Sequence, residues 1–357
     1  MRTRRHIGLG AAALATLALL AAGCGGGSNN SSGTTGAVAG AQTTKTQSRV
    51  LVGAGSTLVA PLVAQWSSDY AKTHGITVTY GAIGSGGGIA QVTGGNVDFG
   101  ASDAPLSPEQ LHSGKGIVQI PWALAATLVA VNLPGMNDHP RLTGPVLADI
   151  YLGKITTWND PAIQKLNPGM ALPNTKIAVV YRSDSSGDTY AFTNYLSKVS
   201  PAWHSKVGLG TSVSWPTGTG AKGNAGMAGA LQQTPGAIAY IAIANVKGAH
   251  LNYALVQNAA GKYPDPSPAT IAAAASGVRL GPDHSASIVN PPASKPTAYP
   301  VSTFTYVLVP KGSPKVAVLK PFLRYAVGPG QTFGSQLSFA PLPANVKSVA
   351  LQIIGGL

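Results

Sequence analysis

Residues 76–88 read Ile-Thr-Val-Thr-Tyr-Gly-Ala-Ile-Gly-Ser-Gly-Gly-Gly, and the fold turns on them. Ile76 to Tyr80 has the β-branched alternation of a strand. It runs into Gly84-Ser85-Gly86-Gly87-Gly88 and a short helical stretch, after which Val97-Asp-Phe-Gly-Ala101 reads as another strand ending at Ser102-Asp103. Strand, glycine-rich turn, helix, strand is the rhythm of an α/β sheet. Upstream, Arg49-Val-Leu-Val-Gly53 predicts a strand, a glycine turn and then a helix from Ser56 to about Thr73. Downstream, Lys176 to Tyr181 predicts a strand leading through Arg182-Ser-Asp-Ser-Ser-Gly-Asp-Thr189 into a helix ending near Val199. The apolar runs Leu124 to Asn132 and Ala237 to Ala242 read as buried strands, Thr303 to Val309 as a late strand, and Pro314 to Val327 as a late helix. Tyr263 to Pro300 is rich in Pro, Ala and Ser, and no internal repeat is visible.

The first residues divide into a basic start (Arg2, Arg4, Arg5), an apolar run from Ile7 to Ala22 and small residues ending Ala21-Ala22-Gly23-Cys24. This is the layout of an export signal. The apolar run is shorter than the roughly 20 residues that a membrane span needs. Cys24 is the only cysteine, so no internal disulfide can form. Its place after Ala22-Gly23 predicts cleavage of residues 1–23 and lipid attachment to its thiol. The match to a bacterial lipobox is imperfect, because Ala21 stands where leucine is favoured. Residues 24–48 cannot bury a core and read as a lipid-anchored flexible linker. Roughly 310 residues remain, enough for two domains with real cores.

The chain carries 24 basic and 11 acidic residues, a formal charge of +13 that falls to about +10 with the signal's three arginines removed. The excess suits an anionic ligand or an anionic envelope surface. Only 10% of residues are charged, and no Lys/Arg cluster with interleaved aromatics occurs, so nucleic acid is not an expected partner.

A helix N-terminus offers unpaired backbone N–H groups and about half a positive charge, so it binds oxyanions without a cationic side chain. Three places fit: Gly53-Ala54-Gly55-Ser56-Thr57-Leu58, Gly84-Ser85-Gly86-Gly87-Gly88 and Ser185-Ser186-Gly187-Asp188-Thr189. Each supplies a hydroxyl, and Arg182 adds a guanidinium fork suited to tetrahedral oxyanions. Taken singly each has an ordinary reading. A glycine turn can merely connect, Ser56 and Thr57 can cap a helix, and Arg182 can form a surface ion pair. Asp103 and Asp188 do not fit a general anion site, since buried like charges are costly unless a proton lies between the oxygens. They predict an oxyanion that still carries a proton.

Other chemistries fail on detail. No Gly-x-x-x-x-Gly-Lys-Ser/Thr occurs, and Gly84-Ser-Gly-Gly-Gly-Ile lacks the final glycine of a dinucleotide fingerprint. Gly100-Ala-Ser102-Asp-Ala104 misses the last glycine of a serine-hydrolase elbow. The histidines beyond the signal (His74, His112, His139, His204, His250, His284) have no pair at metal spacing and are expected in solvent. Neither metal nor cofactor is expected. A secreted phosphatase or phosphotransferase remains an alternative, because the same cradle could stabilise a transferring phosphoryl group, although no activated nucleophile beside a base is visible.

Gly53-Ala-Gly-Ser-Thr-Leu-Val-Ala-Pro61, Tyr80-Gly-Ala-Ile-Gly-Ser-Gly-Gly-Gly88, Val97-Asp-Phe-Gly-Ala-Ser-Asp-Ala-Pro-Leu106, Asp149-Ile-Tyr-Leu-Gly-Lys-Ile155 with Trp158, Lys165-Leu-Asn-Pro-Gly169, Arg182-Ser-Asp-Ser-Ser-Gly-Asp188 and Gly223-Asn224 follow one another in order. From about Val50 onward the chain resembles the substrate-binding lipoprotein of the bacterial high-affinity phosphate ABC transporter. The resemblance implies a non-enzymatic, monomeric phosphate receptor, lipid-anchored outside the cytoplasmic membrane, facing the periplasm or the exterior and partnered by a permease and its ATPase. It implies a two-domain α/β periplasmic-binding-protein fold of type II, with hinge-linked lobes at 49–130 plus 304–357 and at 131–303 and the ligand in the cleft between them. It places on phosphate the Thr57 hydroxyl, the Leu58 N–H, Ser85, the Asp103 carboxylate, Arg182, the Ser186 hydroxyl and backbone N–H groups around Gly187 and Asp188. Where some members carry threonine this chain has Asp188, exchanging a hydroxyl for a second carboxylate. Phosphate keeps one or two protons near neutral pH and can donate each to a carboxylate, whereas sulfate has none to give. Asp103 is therefore expected to discriminate against sulfate, and Asp188 to accept a second proton.

Overall fold

The computed structural model describes residues 49–112, 116–136 and 138–357; the signal segment, Cys24 and the linker lie outside the described residues. Among the described residues ten strands form one curled sheet: β1 (Val50–Gly55), β2 (Thr77–Ala82), β3 (Phe99–Ser102), β4 (Ile117–Val131), β5 (Arg141–Leu142), β6 (Ala178–Arg182), β7 (Thr219–Ala221), β8 (Ala237–Ala242), β9 (Tyr253–Val256) and β10 (Ser302–Pro310). Their spatial order is β2-β1-β3-β10-β4-β8-β6-β7, with β9 pairing both β4 and β5. β1 lies parallel to β2 and β3, and β6 lies parallel to β8 and β7. These two parallel groups are the βα units anticipated from the glycine turns, and helices cover them.

The two groups are joined through β4. Its first part, Ile117 to Ala126, pairs antiparallel with β10, and from Thr127 onward it pairs with β8. β4 thus belongs to a first half of the sheet with β2, β1, β3 and β10, and to a second half with β8, β6 and β7. Burial on both faces explains its composition, an apolar run with little alternation. The pairing with β10 shifts register at Thr305/Tyr306, which face Ala123 and Pro121, so Trp122 is an extra, bulged residue. Trp122 packs edge-on against Trp66, with ring centroids 5.1 Å apart, in the core of the first half. The second half has its own aromatic core, in which Phe192 stacks on Tyr240 at 4.6 Å.

Glycine is required where the helix Ser85–Gly94 meets the sheet. A Cβ on Gly88 would lie 2.5 Å from Gly55 Cα, and one on Gly55, which has φ +147°, would lie 2.1 Å from the Ala101 carbonyl oxygen. Only bare backbone allows this approach, and it brings the start of that helix down to Asp103.

Strand and helix bounds mostly agree with the sequence expectations, with three physical differences. β4 begins at Ile117 rather than Leu124, because Gln119 and Pro121 interrupt the apolar pattern without interrupting the strand. The first helix starts at Ala60, not Ser56. The Pro/Ala/Ser-rich stretch holds a helix at Pro268–Ala275, started by a Ser267/Thr270 capping box. The sequence expectations contain neither the helices Gly144–Tyr151, Gly223–Gln233 and Ala344–Gly356 nor the strands β5, β7 and β9. No helix among the described residues is long and apolar enough to cross a membrane.

Candidate functional site

Each predicted turn delivers its residues to the same place. β1 ends at Gly55, and the segment Ser56-Thr57-Leu58 precedes the helix Ala60–His74. β2 leads to Ser85 at the start of the helix Ser85–Gly94, and β3 leads directly to Asp103. From the second half, β6 ends at Arg182, and Ser186 caps the helix Gly187–Val199 by accepting from the Thr189 N–H at 3.3 Å.

Hydrogen bonds then run between the halves. The Ser85 hydroxyl accepts from the Gly187 N–H at 3.1 Å and from the Asp103 N–H at 3.2 Å. The Gly86 N–H donates to the Ser185 carbonyl at 3.1 Å. Asn224 Nδ2 donates to Thr57 Oγ1 at 2.8 Å and to Asp188 Oδ2 at 2.7 Å. Of the predicted residues, Leu58, Ser85, Asp103, Arg182, Ser186, Gly187 and Asp188 are buried and Thr57 is half-buried.

Asp103 is 1% exposed. The Ser56 hydroxyl donates to its carboxylate, 2.7 and 2.6 Å from the two oxygens, and Thr305 donates to Oδ1 at 2.8 Å. Ser56 also accepts from the Leu58 N–H at 3.0 Å, so it is a support for Asp103 as well as a local cap. Burial, then the charge of Asp188, pushes the Asp103 carboxyl up to about 7, against the pull of Ser56, Thr305 and Arg182. With the halves together and no ligand between them, Asp103 therefore keeps between about pH 4 and pH 7 a proton that the unfolded chain has released. The stability it contributes is lost as pH rises through that window. Relative to Asp103→Asn, the parent's melting temperature in phosphate-free buffer should fall over this range, as scanning calorimetry would show. A constant difference would contradict the raised pKa.

Arg182 is not a surface ion pair. It is 3% exposed, donating from Nε to Asp184 Oδ1 at 2.7 Å and from Nη1 to Asp188 Oδ2 at 3.0 Å. Asp184 loses charge stability to burial, but its bonds from Arg182 and from the Gly223 N–H outweigh this and hold its carboxyl below the usual range. Asp188 also accepts from Thr127 at 2.7 Å. Ser56, Thr127, Asp184 and Thr305 were missed as site residues. Ser56 reads as a cap, the threonines sit in strands where β-branching is ordinary, and Asp184 lies among the polar residues that follow Arg182 with no signal of its own.

A cavity of about 140 Å³ lies beside Asp103, lined also by Tyr190, Asn194, Thr303 and Tyr306. Another, of about 530 Å³, is lined by Val118, His284, Lys311 and the C-terminal helix and shares no residue with this cluster. His139 and His284 are half-buried, against the expectation of solvent exposure; His139 stacks on Tyr253 at 3.9 Å. Among the described residues no group of three or more His, Cys, Asp or Glu could hold a metal ion. Chemically the cluster offers helix starts, hydroxyls and a guanidinium from two halves of a sheet to an anion, with a carboxylate that can accept a proton.

Residues 37–329 match the family model described as a PBP superfamily domain. The chain is 43% identical over 306 residues to "Phosphate-binding protein PstS" of Xylella fastidiosa, covering 85% of this chain and 84% of that protein. It is 40% identical over 305 residues to the protein of that name in Pasteurella multocida, covering 84% and 88%. Its fold resembles the crystal structure of a putative phosphate ABC transporter substrate-binding protein with bound phosphate from Clostridium perfringens, with TM-score 0.63, 18% identity, and 82% and 100% of the two chains covered.

Proposed function

The chain belongs to the phosphate-binding proteins of the PBP superfamily, and from that premise we propose how its site works. It has the two-lobe periplasmic-binding-protein fold, binds inorganic phosphate outside the cytoplasmic membrane and serves an ABC transporter that imports it. The lobes are taken as 49–130 with 304–357 and as 131–303, meeting along β4 and β10. The observation that carries the site proposal is the meeting of Asp103 and the Gly187 N–H at one hydroxyl, Ser85, between the halves. Phosphate would be held by the Thr57, Ser85 and Ser186 hydroxyls, the Leu58, Gly187 and Asp188 N–H groups and Arg182, and would donate its proton to Asp103, with Asp188 a second acceptor. Because the donors come from both halves, binding stabilises the closed form, which the permease recognises.

Calorimetric titration at pH 8 tests this directly: phosphate should bind tightly and sulfate give no heat. Sulfate binding as tight as phosphate binding would refute it. The protein is proposed to be a monomer without catalysis, the two carboxylates selecting a ligand rather than activating a nucleophile. A chromogenic phosphate ester should accordingly be left intact with or without divalent metal, and turnover lost on Asp103 substitution would favour an enzyme instead.

The anchor is proposed at Cys24. Metabolic labelling with a radioactive or clickable fatty acid should mark the parent and not Cys24→Ala, which should appear in the soluble fraction. Labelling that survives the substitution would exclude this thiol.

A further inference from the structure

Two threonines from the strands that join the halves stand behind the two aspartates. Thr127, the first residue of β4 past its change of partner, donates from Oγ1 to Asp188 Oδ1 at 2.7 Å. Thr305 of β10 donates to Asp103 Oδ1 at 2.8 Å, and Thr303, on the same face of that strand, donates to the Asp103 carbonyl at 3.1 Å. All three threonines are buried.

We infer that Thr305 and Thr127 are specificity-determining positioning residues, each fixing its aspartate as a hydrogen-bond acceptor so that the site demands a proton from its ligand before it closes. The inference rests on the phosphate reading above. A hydroxyl that donates into a carboxylate favours the charged form, and in a dry site few other donors can replace it. Asp188 Oδ2 is taken by Arg182 and Asn224, which leaves Thr127 to serve Oδ1. For Asp103, Thr305 and Ser56 oppose the effects of burial and of the Asp188 charge. Without the Thr305 bond, Asp103 would keep its own proton to higher pH. It would then donate to a ligand oxygen and admit an anion that brings no hydrogen.

The connectivity adds a second point. Asp103 follows β3, which pairs with β10, and Asp188 lies just beyond β6, which pairs with β8 beside Thr127. By sheet pairing each threonine thus falls with its aspartate's half, Thr127 lying on the stretch of β4 that has already crossed to β8, just short of the lobe boundary at residue 130. The Ser85–Gly187, Gly86–Ser185 and Asn224–Thr57 bonds run between halves and must break when the cleft opens, but the threonine bonds need not. The acceptors are set before the ligand arrives.

The charged and titratable groups around Asp103 are Asp188, Arg182 and Tyr80, with Asp184 behind Arg182. The test is titration of the parent, Thr305→Val and Thr127→Val with phosphate and with sulfate at several pH values between 6 and 8, with Thr305→Ser and Thr127→Ser as rescue. Thr305→Val should narrow the preference for phosphate over sulfate by about tenfold or more at pH 8, the change for about one unit of carboxyl pKa. It should also move the onset of sulfate binding to higher pH, and Thr305→Ser should restore both. Thr127→Val should narrow the phosphate preference in the same direction, through the lost contact to Asp188. If a valine variant fails to fold, the alanine variant carries the same expectation. Variants that keep the parental preference and pH onset, or that weaken both anions equally, overturn the inference while leaving the phosphate reading intact. A parent that binds no phosphate defeats that reading, and this inference with it.

Discussion

Asp103→Asn should open the site to sulfate. The carboxylate is buried, fixed by Ser56 and Thr305, and faces the meeting point of the two halves. A phosphate hydroxyl placed there makes a charge-assisted bond, whereas a sulfate oxygen would set lone pairs and charge against lone pairs and charge. Sites built to bond a ligand hydroxyl reject the analogue lacking it by about 10⁴ to 10⁵. Asparagine keeps the shape, loses the charge and turns an N–H₂ toward the ligand. The ratio of phosphate to sulfate affinity should therefore fall by up to about 10⁴, mostly through a gain in sulfate binding. The parent should show a weaker form of the same change with pH. With the halves together, burial and the Asp188 charge push the Asp103 carboxyl up to about 7, so below that pH it carries a proton of its own and sulfate exclusion should relax, while above it exclusion should be full. The asparagine variant should lack this dependence. If its sulfate affinity equals the parent's at pH 8, Asp103 is not the discriminator.

The second large effect is expected from a single methyl group. A Cβ on Gly187 would lie 2.4 Å from Asp103 Cβ and 2.7 Å from Ser85 Oγ, both in the other half of the sheet. Gly187 has ordinary helical backbone at the start of its helix, so alanine is not strained there in itself. The clash exists only when the halves are together. Overpacking of this kind costs about 1–3 kcal/mol, and here it opposes closure alone. Gly187→Ala should bind phosphate about 10- to 100-fold more weakly, while its ligand-free melting temperature changes little. Scattering should show the variant remaining extended at phosphate concentrations that compact the parent. Parental affinity would mean that closure does not bring these residues into contact.

The sequence was most legible where one physical demand dominated. Ala237–Ala242 was read with its correct bounds because a strand buried on both faces needs an unbroken apolar run. The three glycine turns were visible because close backbone approach admits little else. The crossing strand was cut short at Leu124, since Gln119 is buried for a polar reason, bonding the Leu106 N–H and the Asp283 carbonyl, which no local pattern announces. In the site, charged residues stood out against a chain poor in them. Their supports did not. Thr127 and Thr305 look like strand formers, and only long-range register reveals that one meets Asp188 and the other Asp103. The separate roles of Asp184 and Asp188 around Arg182 are equally hidden, because they lie only four positions apart, Asp184 in the loop after β6 and Asp188 in the first turn of the helix that follows.

The position of β10 between β3 and β4 sets the order in which the protein can be completed. Until residues 302–310 arrive, β3 has an open edge and residues 117–126 have no sheet partner, although they precede β10 by well over a hundred residues. The strands β5 to β9, by contrast, come from one continuous stretch between those two events. Contacts so distant along the chain are slow to form, and open edges are exposed meanwhile. The half that begins the chain is therefore finished last, and a chain emerging N-terminus first holds an incomplete lobe until almost all of it is free.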